Sequence, residues 1–127
     1  MSFGHKLRKY FGKHAETRDH HVDPTLRTNY YKTTKNKALM ILEHFFKNSQ
    51  EYKFNSLSED HGEISVIKTK GKKAFIVATV IMVRPNRTAI DFSVSTESIL
   101  PFDFGYSTRL IHKLYEQVNK ELELIKQ

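Results

Sequence analysis

The hydrophobic positions of this chain follow two periods, one typical of helices and one typical of strands. Helical spacing runs from about residue 35 to residue 47 and again from about 106 to 125. Each stretch predicts an amphipathic helix that buries one face and leaves charged side chains in water. Thr33 or Thr34 is positioned to cap the first helix, and Ser107 the second. The positions that define the two faces are Ala38, Ile41, Leu42, Phe45 and Ser49, and then Leu110, Ile111, Leu114, Val118, Leu122 and Ile125.

Shorter stretches before and between these helices alternate between polar and apolar residues. They predict strands near residues 26–32, 52–56, 63–69, 73–83 and 88–96, separated by turn-forming sequences. Short turns join consecutive strands in antiparallel pairs. With a further short helix near the N-terminus, the element order is (α)-β-α-β-β-β-β-α. The sequence therefore predicts an α+β fold, in which an antiparallel sheet of four to five strands carries two helices on one face.

The predicted strand at 73–83 is apolar on both faces, and the next strand carries Asp91, Ser93 and Ser95 on one face. Pro85 leaves the register of this hairpin open, but a one-residue slip would only exchange the two apolar rows. In either register, an apolar row lies beside the polar row. We expect this second sheet face to be covered by the N-terminal helix, by a protein partner such as a second copy in a homodimer, or by a ligand. Ordinary exposure is the alternative.

The N-terminal third of the chain carries nearly all of its positive charge. Residues 1–37 hold nine Lys and Arg against three acidic residues, so +6 of the net charge of +7 lies there. Residues 2–14 are predicted to form a short helix with a basic arm on one side, and residues 15–25 a linker. This divides the chain into a segment 1–23 and a single domain 24–127, with the segment dispensable for folding. The basic arm consists of Lys6, Arg8, Lys9 and Lys13.

The basic arm has three possible roles. It can pack on its own domain, lie weakly on an anionic membrane surface, or contact RNA. Vesicle binding would also require the apolar positions Phe3, Leu7 and Phe11, because burying them supplies the part of the binding energy that salt does not screen.

Composition excludes several classes of chemistry. The chain contains no cysteine, so disulfides, thiolate nucleophiles and thiolate metal sites are ruled out. No apolar run approaches the roughly 20 residues of a membrane span, so no span is expected. The N-terminus lacks the apolar stretch of a signal peptide. We therefore expect a cytoplasmic protein.

No recognisable catalytic motif is present, which favours a small binding or interaction module over an enzyme. Cofactors and metals are not expected. Asp103-Phe104-Gly105 is expected to form a tight turn at a helix start. The alternative is a ligand or catalytic site at one edge of the sheet. Its candidate residues are Asp91, Ser93, Ser95, Glu97 and Asp103.

Two other groups of polar residues have structural interpretations. The segment that contains His14, His20 and His21 has metal-ligand types, but its lack of periodicity favours a solvated linker. Arg84 and Arg87 flank one predicted hairpin turn, while lysines flank another at the opposite end of the sheet. Such charge is expected to be solvated and to protect strand edges.

Two sequence runs are followed by an amphipathic C-terminal helix. The runs are Ser95-Thr96-Glu97-Ser98 through Phe102-Asp103-Phe104-Gly105-Tyr106-Ser107, and the earlier Arg27-Thr28-Asn29-Tyr30-Tyr31. Together they resemble the bacterial family catalogued as domain of unknown function 1499, and the resemblance covers roughly residues 24–125. It implies a fold boundary near residue 24 and no particular chemistry, because no activity is established for that family.

Overall fold

The computed structural model describes residues 14–97 and 103–126, which form a seven-stranded antiparallel sheet and two α-helices. The predicted α+β class and element order are confirmed, and the sheet has more strands than the four to five expected. The elements are β1 (His14–Glu16), a 3₁₀ turn (Pro24–Leu26), β2 (Asn29–Tyr31), α1 (Lys35–Asn48), β3 (Tyr52–Ser58), β4 (Glu63–Lys68), β5 (Ala74–Arg84), β6 (Arg87–Thr96), α2 (Tyr106–Glu121) and β7 (Leu124–Ile125).

Both helices lie on one face of the sheet, as predicted. The strands run in the order β3-β4-β5-β6-β2-β7, and β1 also pairs with β6. Helix α1 packs over β3, β4 and β5, while α2 packs over β6 and β1. The side chains of the central strands that point toward the helices are buried and form the floor of the core. They are Ile64, Val66, Ile76, Ala78, Val80, Ile90, Phe92 and Val94.

Helix α1 begins where its cap was predicted. The Thr34 hydroxyl accepts a hydrogen bond from the backbone N–H of Lys37, which satisfies one of the free donors of the first turn. The predicted apolar face of α1 is turned toward the core, but two of its residues are less buried than expected. Ile41 and Phe45 are only half-buried, and the fully buried residues are Ala38, Leu39, Leu42 and Phe46.

The second helix starts and ends differently from the prediction. Gly105 is its N-cap, with a positive φ of 79°, and the Asp103 carboxylate accepts the Ser107 N–H, so the predicted Ser107 cap is wrong. The helix ends at Glu121 rather than at residue 125. The last residues instead form β7, which pairs antiparallel with β2 at the edge of the sheet.

The predicted linker at residues 15–25 is wrong at its start, where Ala15 and Glu16 belong to β1, whereas residues 17–23 form no helix or strand. Strand β1 pairs with β6 opposite Ser93–Ser95, and β2 pairs with β6 opposite Thr88–Ile90. These two three-residue strands therefore share one edge of β6, and the chain between them loops outward. Of the predicted strand 26–32, only β2 is paired in the sheet, and Leu26 belongs to the 3₁₀ turn Pro24–Leu26. The predicted N-terminal helix and its basic arm fall on residues 1–13, outside the described residues, except for His14.

The register of the β5–β6 hairpin confirms the predicted neighbouring rows. On the sheet face away from the helices, Phe75 lies opposite Ser95, Val77 opposite Ser93, and Thr79 opposite Asp91. The turn contains Asn86 at a φ of 58°, which asparagine tolerates better than most residues.

Candidate functional site

Asp91 lies at the gap between β1 and β2, where two threonines bind its carboxylate. The hydroxyls of Thr17 and Thr28 donate to the same oxygen, Oδ1, at 2.5 and 2.7 Å. Burial raises the pKa of Asp91, although the two hydrogen bonds act in the opposite direction. Thr17 is also hydrogen-bonded to the backbone of β6 at this gap. Its backbone N–H donates to the Phe92 carbonyl, and its hydroxyl oxygen accepts from the Phe92 N–H.

Tyr115 of α2 completes a chain of polar contacts through the sheet. Its hydroxyl oxygen lies 2.7 Å from the carbonyl oxygen of Ile90 and 3.2 Å from the hydroxyl oxygen of Thr17. Burial is the main reason that the pKa of Tyr115 is raised. This series of polar contacts connects helix α2, on one face of the sheet, to Asp91, whose side chain lies in the polar row of β6 on the other face. These contacts satisfy buried polar groups and close the gap between two short strands.

The two serines of the predicted site bind a histidine. The Nδ1 atom of His14 lies 2.7 Å from the Ser95 hydroxyl oxygen, and its Nε2 lies 2.9 Å from a Glu16 carboxylate oxygen and 3.5 Å from the Ser93 hydroxyl oxygen. A serine, a histidine and a carboxylate in line have the order of a catalytic triad. However, Ser95 lies within β6, whose backbone is paired with β5 on one side and β1 on the other. Its strand therefore offers no free pair of N–H groups for an oxyanion.

Asp103 does not join the other predicted site residues. Its carboxylate accepts from the Gly105 N–H, from the Ser107 N–H and hydroxyl, and from the Thr96 hydroxyl. Burial raises the pKa of Asp103, but the bonds from Ser107 and Thr96 outweigh it and leave the pKa lowered. Thr96 belongs to the helix-facing row of β6, so Asp103 lies on the opposite side from Asp91. Glu97 is exposed at the end of the strand.

The opposite pKa shifts of Asp91 and Asp103 predict opposite pH dependences of stability. Because the pKa of folded Asp91 is raised, wild type should lose free energy of unfolding relative to Asp91→Asn as pH rises from about 4 through the raised pKa. Because the pKa of folded Asp103 is lowered, wild type should have a larger free energy of unfolding than Asp103→Asn at neutral pH. This difference should disappear as pH falls below about 4. Urea unfolding of the three proteins across this range measures both differences. Parallel pH profiles would contradict both assignments.

A cleft that the sequence patterns do not predict separates the two helices. It has a volume of about 360 Å³ and lies above β6, with Phe92 as its floor. Helix α1 and helix α2 rest on different strands, so the cleft follows from the distance between them. Eight of its lining residues are apolar and three are polar. They are Met40, Ile41, Leu42, His44, Phe45, Phe46, Phe92, Leu114, Gln117, Val118 and Glu121.

The sequence contained one signal of this cleft. Helix α1 has more apolar residues than one buried face requires, and the surplus lies at the cleft. Met40 is 64% exposed, and Ile41 and Phe45 are half-buried although they repeat at core spacing. A wide apolar surface on a helix whose neighbour stands apart is typical of a binding site between helices.

Comparison with protein-family models, with curated proteins and with solved structures finds no match to this chain. The resemblance to domain of unknown function 1499 therefore stays a prediction. Across residues 14–97 and 103–126, no three His, Asp or Glu side chains are grouped so that they could hold a metal ion. None of the helices formed by these residues is long and apolar enough to cross a membrane.

Proposed function

We propose that this protein is a non-catalytic binding module, and that the cleft between α1 and α2 takes a small apolar molecule. The observation that carries the proposal is the cleft itself. Its volume of about 360 Å³ falls within the range of ligand sites, roughly 300–1,000 Å³, and its lining combines many apolar residues with a few polar ones. That volume corresponds to about 12 water molecules. A ligand with a similar number of non-hydrogen atoms would fit.

The absence of a catalytic role is supported by how the candidate groups are used. Asp91 is bound by two threonines, Asp103 is bound at the start of α2, and His14 is bound between a serine and a glutamate. A raised carboxylate pKa at Asp91 would favour catalysis if that side chain opened into a cleft. Neither Asp91 nor Asp103 lines the inter-helix cleft, so this apolar space and the two carboxylates with shifted pKa values are separate.

The polar residues at the cleft restrict the ligand's polar end. Glu121 places a carboxylate there, so a ligand carboxylate would be repelled and a hydroxyl or amine accepted. Gln117 offers both a donor and an acceptor. The Nδ1 atom of His44 already lies 3.1 Å from the side-chain nitrogen of Asn48, which leaves its other ring nitrogen for a ligand. We therefore propose a neutral or cationic amphiphile with a compact apolar body.

Calorimetric titration with decan-1-ol tests this function. Binding should show a negative heat-capacity change, because apolar surface is buried. The variant Gln117→Trp should weaken binding about tenfold or more, since an indole at this half-buried position would fill the cleft. The variant Glu116→Trp is the matched control, because its exposed side chain lies on the same helix outside the cleft.

Met40→Trp provides a second filling variant from the other helix. Circular dichroism would verify that each variant is folded. Loss of binding in both filling variants and its retention in the control would support the proposal. Equal binding by all three variants would place decan-1-ol elsewhere and contradict it, as would no binding to wild type.

The remaining expectations about cellular role are also proposals. We propose a cytoplasmic location, with which the cysteine-free sequence is compatible. Homodimerisation through the second sheet face is supported by the row Phe75, Val77 and Ile81, which lies on that face. Anionic binding through Lys6, Arg8, Lys9 and Lys13 stays a prediction, because these residues lie outside the described part of the chain.

A further inference from the structure

Three consecutive hydrophobic side chains are exposed near the tip of the β5–β6 hairpin. Ile81 is 52% exposed, Met82 44% and Val83 51%. Consecutive residues of a strand point to opposite faces, so both faces of this part of the hairpin are open. A run of large apolar residues exposed on both faces is costly in water and marks a contact surface.

The hairpin projects because its neighbour on one side stops early. Strand β4 ends its pairing with β5 at Glu63, opposite Thr79, and the Val80 N–H is bound by the Gly62 carbonyl at 2.7 Å. Within the described residues, no strand pairs with residues 81–84 on that edge. The tip therefore extends past β4 on that edge, while on the other edge β2 pairs with β6 as far as Thr88, opposite Met82.

Arginines surround the apolar tip. Arg84 and Arg87 are directly paired across the hairpin, where two like charges repel. The guanidinium carbon of Arg87 lies 4.6 Å from the centre of the Tyr30 ring. Arg84, Arg87 and Tyr30 line an open cleft beside the tip, which has a volume of about 1,030 Å³. Arg27 and Lys126 line this cleft as well.

The described acidic residues do little to neutralise this charge. The ion pairs of the described part of the chain involve His14, Lys32, Lys47 and Lys68, and none involves an arginine. Asp19, which also lines the cleft, accepts a hydrogen bond from the Tyr30 hydroxyl. Among the described residues that line the cleft, three arginines and Lys126 stand against the carboxylate of Asp19, so positive charge is in surplus.

We propose that this hairpin tip is a docking surface for an anionic phospholipid membrane. Ile81, Met82 and Val83 enter the boundary between headgroups and acyl chains, and Arg84 and Arg87 bind lipid phosphates. The lipid phosphates offset the repulsion between the two arginines. The loop that supplies His20 and Pro24 to the cleft also carries Val22, whose side chain is 85% exposed.

The residue types at the tip favour lipid over nucleic acid. Single-stranded nucleic acid is held by aromatic side chains on which bases stack, whereas the exposed tip residues are aliphatic. The nearby aromatic ring, that of Tyr30, is already in contact with Arg87. Aliphatic side chains beside arginines match the two layers of a membrane surface, apolar below and anionic above.

Co-sedimentation of the full chain with vesicles tests this surface. Binding to vesicles that contain phosphatidylserine should exceed binding to pure phosphatidylcholine. The variant Arg84→Ser should weaken it several-fold, and Arg84→Ser with Arg87→Ser about tenfold or more, since each basic residue near the surface contributes about 1 kcal/mol. High salt should remove this charge-dependent part.

Ile81→Ser with Val83→Ser tests the apolar part separately. These two substitutions should lower the vesicle binding that remains at high salt, whereas the two arginine substitutions should leave that binding unchanged. The control is Lys70→Ser with Lys72→Ser, which removes the same charge at the opposite end of the sheet, and it should bind nearly as wild type. Thermal melting would verify that every variant is folded.

Three outcomes would overturn the proposal. If both hairpin variants bind as wild type does, another part of the chain holds the membrane. If the double lysine control loses as much vesicle binding as the double arginine variant, binding depends only on net charge. If inorganic phosphate or RNA competes fully at the same ionic strength and the apolar pair has no effect, the cleft is a site for free anions.

Discussion

Replacing Phe92 by alanine should cost about 3–5 kcal/mol of unfolding free energy, the largest effect of any single substitution proposed for this protein. Its side chain is 1% exposed in the middle of β6, and its ring meets that of Tyr115 edge-on with 5.0 Å between centres. It also forms the floor of the inter-helix cleft. Removing it would leave a void between both helices and the sheet, because the rigid strand cannot move to fill the space.

Urea unfolding of Phe92→Ala, together with Leu114→Ala, measures this effect. Leu114→Ala should cost about 2–5 kcal/mol, since Leu114 is buried on the face of α2 that meets the sheet. Lys70→Ala is the control, because Lys70 is exposed in a turn and surface changes stay within about 0.5 kcal/mol. Similar small values for all three variants would show that the assigned core is wrong.

A chain that begins at Pro24 should be less stable than one that begins at His14 by about 3 kcal/mol or more. The shorter chain loses β1 and the three hydrogen bonds that join Thr17 to Asp91 and Phe92, each of which contributes about 1 kcal/mol. It also leaves the Asp91 carboxylate without one of its two threonine donors. Residues 14–17 thus belong to the folded unit, unlike the linker that the sequence predicted.

Comparing these two chains isolates residues 14–23, because both lack residues 1–13. Thermal melting and urea unfolding would give the difference in free energy. The point substitution Thr17→Val keeps the chain length and should reproduce part of the loss. Equal stabilities for the two chains would restore a domain boundary at residue 24.

The parts of the fold that the sequence predicted are those with long periodic patterns. Helix α1, strands β3 to β6 and most of α2 each span enough residues for the helical or strand period to repeat. The neighbouring apolar and polar rows of the β5–β6 hairpin could also be predicted. Both possible registers place one of the two apolar rows of β5 beside the polar row of β6, so the uncertainty at Pro85 did not matter.

The short strands could not be predicted from their own sequences. Strands β1, β2 and β7 contain three, three and two residues, which is too few for alternation to be recognised. They are extended because β6 and β2 offer free edges to pair with. The sequence of β7 continues the helical spacing of α2, and the helix nevertheless ends because pairing with β2 holds the chain extended.

The candidate site was only partly predictable for a similar reason. Asp91, Ser93 and Ser95 share one face because alternate residues of a strand must do so. Asp103 is expected at the same edge of the sheet, but its carboxylate binds Thr96 on the opposite face. The cleft depends on the separation of two helices that are about 60 residues apart in sequence. No local pattern determines such a distance.

Methyl NMR spectroscopy of the full chain with decan-1-ol tests the proposed function most directly. The expected result is a set of saturable shifts at the cleft methyl groups of Met40, Ile41, Leu114 and Val118. The methyl groups of Ile81 should not move, because they lie at the hairpin tip. Shifts confined to Ile81 and its neighbours, or no saturable shift at any methyl group, would contradict binding between the helices.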